Sequence, residues 1–213
     1  MEIENNILKQ RLKNVYFIWG SGKTTIANAL AEKCGCFVYH TDYERARHAH
    51  SADPQYQPAL CRNVPDYWAL DPEDAKQWEQ DIVREFTPMV IADLLVLAPQ
   101  HQYVICEGDV NIDLIIPVAS HVVTISNYGS AYDFFDRPDQ QAMLREIQER
   151  PGLSDVEREK LIENAYAIAG QTSSHTIPYE TKKYGVKQIT RNDDTTIEET
   201  ANMVAAFFGW NMR

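Results

Sequence analysis

Apolar positions recur along the chain in two alternating patterns. Ile3, Ile7, Leu8 and Leu12 mark one face of a short lead-in helix. Val15 to Trp19 follow as an unbroken apolar and aromatic run, the pattern of a strand buried on both faces. Gly20-Ser21-Gly22 interrupts it. A helical period then begins after Lys23-Thr24-Thr25, with Ile26, Ala27, Leu30, Ala31 and Cys34 on one side and Gly35 as the stop. Residues 36–40, 103–106, 121–125 and 186–190 read as four further strands.

Between them lie more helices. Asp71-Pro72 opens one, with Trp78, Ile82, Phe86 and Met89 on its apolar face and Pro88 expected to kink or divide it. Residues 138–150 and 154–169 form two more, the latter opened by a Ser154…Glu157 capping box. Thr195-Thr196 caps a last helix carrying Ile197, Ala201, Val204 and Phe208. Residues 44–70 show no period and contain three X-Pro steps, so a long loop is expected there; residues 170–185 read as irregular. Strands alternating with helices define an α/β protein with a parallel sheet covered on both faces.

Composition adds boundaries to this picture. The 213 residues are 44% hydrophobic and 24% charged, as in a folded globular chain of about one domain. The formal charge of −11 opposes a nucleic-acid backbone, so no nucleic-acid partner is expected. The most apolar stretch, residues 89–98, is about half the roughly 20 residues a membrane span needs, and it contains Asp93. No membrane partner is expected either. The acidic start and four cysteines without a framework spacing point to reduced thiols and a cytoplasmic location. Oligomeric state is not legible.

Strand, glycine turn, Lys-Thr-Thr and helix is the order of a phosphate-binding loop. Glycines let backbone N–H groups converge on phosphate oxygens, and the helix start adds its positive dipole end. Gly20, Ser21, Gly22, Lys23, Thr24 and Thr25 are the candidate nucleotide-binding residues. On residues 15–25 the chain resembles the P-loop NTPase superfamily, and in element order the small-molecule kinases of the shikimate, adenylate and gluconate kinase type. The resemblance implies a three-layer fold with a five-stranded parallel sheet in order 2-3-1-4-5. It also implies one domain over residues 1–213 with a helical lid inserted at about 130–170.

It further implies roles. Lys23 would meet the β- and γ-phosphates of ATP, and Thr24 and Glu107 would hold Mg²⁺. Asp42 would orient the acceptor hydroxyl, and Arg137 would close from the lid, with Arg145 and Arg150 as weaker lid candidates. Lys23, Asp42 and Arg137 are thus the catalytic set. Asp109 lies one glycine beyond Glu107, and Arg191-Asn192-Asp193 falls near the nucleotide base. The ligands implied are a nucleoside triphosphate, Mg²⁺ and a small-molecule acceptor. The reaction is γ-phosphoryl transfer to a hydroxyl. A non-catalytic nucleotide-binding module and a nucleotide hydrolase are the alternatives.

One departure bears on all of this. The motif needs four residues between its two glycines, and only Ser21 separates Gly20 from Gly22. Three residues, worth up to about 10 Å of chain, are lacking. Either residues are omitted from the chain, or Phe17–Trp19 must leave the strand to make the loop. His48-x-His50 with His40 lacks a zinc spacing and reads as a solvated loop. Cys34-x-Cys36 reads as two small buried hydrophobes. Tyr56, Tyr67 and Trp68 would line an acceptor pocket or pack on the sheet.

Overall fold

The computed structural model describes residues 2–127, 138–172, 182–192 and 194–210. The chain forms two compact units, Met1–Cys61 with Ile82–Gly129 and Ser174–Arg213, and Arg62–Asp81 with Ser130–Ser173.

The first unit is built on a five-stranded, all-parallel sheet in the order β2-β3-β1-β4-β5. The strands are β1 (Val15–Gly20), β2 (Phe37–His40), β3 (Val104–Glu107), β4 (His121–Asn127) and β5 (Lys187–Arg191). β1 is central and buried along its whole length. Its side chains alternate between two cores. Val15, Phe17 and Trp19 join Val104, Cys106, Phe86, Val90 and Leu94 on one face. Tyr16 and Ile18 join Ile26, Leu30, Ile105, Val204 and Phe208 on the other. That alternation explains the unbroken apolar run, because a central parallel strand has no polar side. It also makes the unit three-layered, with α2 (Lys23–Cys34) and the last helix, α9 (Ile197–Phe208), over one face. The apolar half of α5 (Pro72–Leu97) covers the other.

Several helix ends follow the sequence signals. α1 (Glu2–Arg11) matches the lead-in pattern. Gly35 closes α2 in the left-handed region at φ 66°, and Thr196 and Glu199 form a capping box on α9. α5 is a single 26-residue helix that contains Pro88, so the proline does not divide it. Beside the proline, the buried Thr87 hydroxyl donates to Val83 O at 2.6 Å and accepts Asn111 N–H at 2.7 Å.

Residues 44–70 are not the long loop their lack of period suggests. α3 spans Thr41–Ser51, and α4 spans Pro58–Cys61. α3 escapes a hydrophobic-period reading because polar groups anchor it. His48 is 3% exposed and is not in a solvated loop. Its Nε2 lies 2.9 Å from Asp93 Oδ2 on α5, and the Tyr39 hydroxyl donates to the same oxygen at 2.6 Å. Arg47 pairs with Asp93 as well, and the Phe86 ring meets His48 edge-on.

Burial alone would raise the Asp93 carboxyl pKa. The hydrogen bonds from Tyr39 and Arg47 and the charges of His48 and Arg47 outweigh it and hold the pKa below 3.8. A carboxylate depressed in the folded state stabilises above its unfolded pKa, and that stability is lost as pH falls through the lower folded value. Asp93→Asn is expected to cost about 1–3 kcal/mol at neutral pH, the worth of charge-assisted hydrogen bonds. The difference from the wild type should shrink below about pH 4. Urea melts at pH 7 and pH 3 check both statements.

The second unit contains α7 (Pro138–Glu149) and α8 (Asp155–Thr172). The short helix α6 (Ile112–Ile115) belongs to the first unit. Ser154 and Glu157 form the expected capping box on α8. Trp68 packs with Leu144, Ile147, Leu161, Ala165 and Ala169, and Tyr67 contacts Trp68 and Trp78. Trp68 therefore packs on α7 and α8 rather than on the sheet, and Tyr67 packs on Trp68. Asn164 donates to the carbonyls of Trp68 and Leu70, and Arg150 pairs with Asp66 at 2.6 Å.

Candidate active site

β1, β2 and β3 all end on the same edge of the parallel sheet. Ligands of open α/β sheets bind at such carboxyl ends. Gly20 ends β1, and α2 begins three residues later. Phe17, Ile18 and Trp19 remain in the strand, each at most 1% exposed. They do not move out to make a loop, because that would expose three large core side chains. The turn between β1 and α2 consists of Ser21 and Gly22 alone.

The turn is tightly held. Gly20 has φ 93°, and a Cβ placed on it would lie 2.0 Å from Ile125 O. The Ser21 N–H donates to that same carbonyl at 2.9 Å. In a longer loop this N–H would be free to face a phosphate. Gly22, at φ 72°, precedes α2, and its carbonyl accepts the first helical bond from Ile26 N–H. The N–H groups of Lys23, Thr24 and Thr25 are left without intrahelical partners, as in any first helical turn. Gly20→Ala is expected to destabilise the protein by about 3 kcal/mol or more through clash and positive φ. A thermal melt reads it, and an unchanged midpoint would contradict the turn described.

The start of α2 is joined to the end of β3. The Thr24 hydroxyl donates to Glu107 Oε2 at 3.0 Å. Glu107 is 2% exposed, and its Oε1 meets His40 Nδ1 at 2.5 Å. Sheet register produces the second contact, because His40 and Glu107 are paired neighbours on β2 and β3. Gly108 then turns at φ 119°, where a Cβ would lie 1.9 Å from Thr41 Oγ1. Only glycine permits that approach.

Beyond the glycine, Asp109 is exposed at the end of the β3 turn, close to the protein groups that shift its carboxyl. Desolvation raises its pKa; Lys23 opposes the shift, Asp42 adds to it, and Arg45 opposes it. Lys23, Asp42, Arg45 and Asp109 therefore share one electrostatic neighbourhood. Asp42 lies in the first turn of α3, exposed, rather than in a loop.

The Thr24 hydroxyl thus reaches Glu107, and Lys23 and Asp42 both act on Asp109, two residues further along. Arg137 lies outside the described residues. Arg150 is engaged by Asp66, and Arg145 is exposed on α7. Two neighbours escape sequence reasoning, His40 beside Glu107 and Arg45 near Asp109; Arg191, which the resemblance put near the nucleotide base, lies beside Gly22. The Arg191 Nη1 lies 2.9 Å from where a Gly22 Cβ would be, and its buried Nε has no hydrogen-bond partner. His40 could have been found only through strand pairing, since β2 lies beside β3; β4 likewise brings β5, and Arg191 at its end, to the β1 side.

Among the described residues no group of three or more His, Cys, Asp and Glu forms a metal cage. The donor set near Thr24 is hydroxyl and carboxylate oxygen. That suits Mg²⁺, which takes one or two carboxylates and completes its shell with waters and substrate phosphates.

The sheet is parallel in order 2-3-1-4-5, and its central strand passes through a glycine turn into a Lys-Thr-Thr helix, the arrangement that the resemblance implies. Among solved structures, the chain is similar to dephospho-CoA kinase from Campylobacter jejuni, with a TM-score of 0.45 and 12% identity over 92% of this chain and 96% of that one. No family model and no curated protein matches the chain. No helix among the described residues is long and apolar enough to cross a membrane.

Proposed function

We propose that the protein binds a nucleoside triphosphate, ATP by the resemblance, at the start of α2 and transfers its γ-phosphoryl group to a small-molecule hydroxyl. The observation that carries the reading is the Thr24–Glu107 hydrogen bond at 3.0 Å. By donating its proton to Glu107, Thr24 keeps its oxygen lone pairs available for a cation. Thr24 and Glu107 would hold Mg²⁺, which when bound neutralises charge on the β- and γ-phosphates.

The remaining roles belong to side chains of this chain. Lys23 places its ammonium beside the phosphates and stabilises negative charge as the γ-phosphoryl group leaves. Asp42, exposed and, like Lys23, within electrostatic reach of Asp109, accepts the acceptor's proton. The acceptor oxygen bonds to phosphorus, the bond from phosphorus to the β–γ bridging oxygen breaks, and ADP departs.

A second reading, a nucleotide-binding module without turnover, has its own support. The two-residue turn commits the Ser21 N–H to Ile125 O and cannot encircle a β-phosphate. Mg·ATP incubated with a panel of sugars, nucleosides and hydroxy acids separates the readings. ADP formed together with a phosphorylated acceptor supports the kinase. ADP and free phosphate in every case would favour a hydrolase. Saturable binding with no ADP would favour the non-catalytic module.

A further inference from the structure

We propose that His40 is a positioning residue for Glu107, holding its carboxylate in the rotation that faces Thr24. The inference rests on the metal role given above to Thr24 and Glu107. Register places His40 and Glu107 side by side on β2 and β3, so their side chains leave the same face of the sheet. Each carboxylate oxygen then has its own partner. Oε1 meets His40 Nδ1 at 2.5 Å, and Oε2 accepts from Thr24 at 3.0 Å.

The terminal torsion of a glutamate is broad and poorly fixed by its own rotamer preferences. Two anchors on opposite oxygens fix it. Glu107 is also 2% exposed, and a buried carboxylate is costly without hydrogen bonds. When the Thr24 oxygen turns to a cation, His40 still holds the carboxylate in place. The tautomer that donates from Nδ1 serves this purpose. The exposed Tyr43 ring lies 4.8 Å from the imidazole and helps to keep the ring in place.

Partners that orient a ligating carboxylate typically change metal affinity by about 10- to 100-fold when removed. A plain structural clip between β2 and β3 would change stability instead. Two variants separate these roles. His40→Phe keeps a ring beside Tyr43 and removes the donor. His40→Asn loses the ring and keeps an N–H donor close to the Nδ1 position.

Calorimetric titration with ATP, with and without Mg²⁺, gives the metal dependence of binding for each protein, and unliganded melts monitor folding. The expected result is that His40→Phe loses about tenfold or more of the metal dependence, while its metal-free affinity is unchanged. His40→Asn should stay within about threefold of the wild type. Wild-type metal dependence in His40→Phe would overturn the proposal and leave the proposed function standing. So would an equal loss in both variants, or a loss confined to His40→Asn. A wild type whose ATP binding ignores Mg²⁺ would overturn the metal role of Thr24 and Glu107, and this inference with it.

Discussion

Inserting three small residues between Gly20 and Ser21 is expected to tighten Mg·ATP binding by about 100-fold. The expectation follows from what the present turn does with its backbone. Gly20 lies against Ile125 O, and the Ser21 N–H donates to that carbonyl. The phosphates are left with the N–H groups at the start of α2. Three residues add up to about 10 Å of chain, enough to carry a loop around a phosphate. Hydrogen bonds to charged groups are worth roughly 1.5–3 kcal/mol each, so two new ones give on the order of 100-fold or more before ordering costs. Glycine or serine insertions suit the purpose, because they permit the positive φ such a loop needs. Calorimetric affinities for the two chains decide it. Equal or weaker binding by a folded, lengthened chain would show that the two-residue turn is not what limits affinity.

Lys23→Ala is expected to remove measurable ATP binding. An ammonium on a phosphate contributes about 1.5–3 kcal/mol, roughly 10- to 150-fold, and a site with a shortened loop has little affinity to lose. The substitution also has a pH signature that packing loss alone would not produce. Lys23 is the largest influence holding down the raised pKa of Asp109, against desolvation and Asp42. Without it, the Asp109 carboxyl should titrate at still higher pH. A raised folded pKa means that stability from the protonated carboxyl is present at low pH and declines as pH rises through that value. The stability cost of Lys23→Ala should therefore grow from acid toward neutral pH. Urea melts of the two proteins across that range test it, and a pH-independent difference would place Lys23 away from Asp109.

The elements that make the sheet were legible because β1, β3 and β4 are buried on both sides and therefore written in apolar residues. The sheet order came from the resemblance, and the register confirms it. The caps at Asp71, Ser154 and Thr196 were legible because capping needs particular side chains at fixed spacings. α3 was hidden because Tyr39, His48, Arg47 and Asp93 anchor it by hydrogen bonds, which leave no hydrophobic period. Lys23 and Thr24 could be read from a contiguous motif, and Glu107 from its place at a strand end. The role of His40 could not, because a strand far apart in sequence brings it to Glu107; Arg191 was placed by the resemblance, but its position beside Gly22 depends on β5. The shortened turn was visible from glycine spacing. How it is closed, by Ile125 O, depends on the neighbouring strand.

The proposed function requires the start of α2 to bind a nucleoside triphosphate together with Mg²⁺. A thermal-shift titration of the unaltered chain with ATP, with and without Mg²⁺, tests it most directly. The expected result is a saturable rise in stability that requires Mg²⁺, with a dissociation constant on the order of a millimolar because the turn is short. Where ligand reaches 100 times its dissociation constant, the gain is about 2.7 kcal/mol. A midpoint that does not move, or that moves equally without Mg²⁺, would contradict the account.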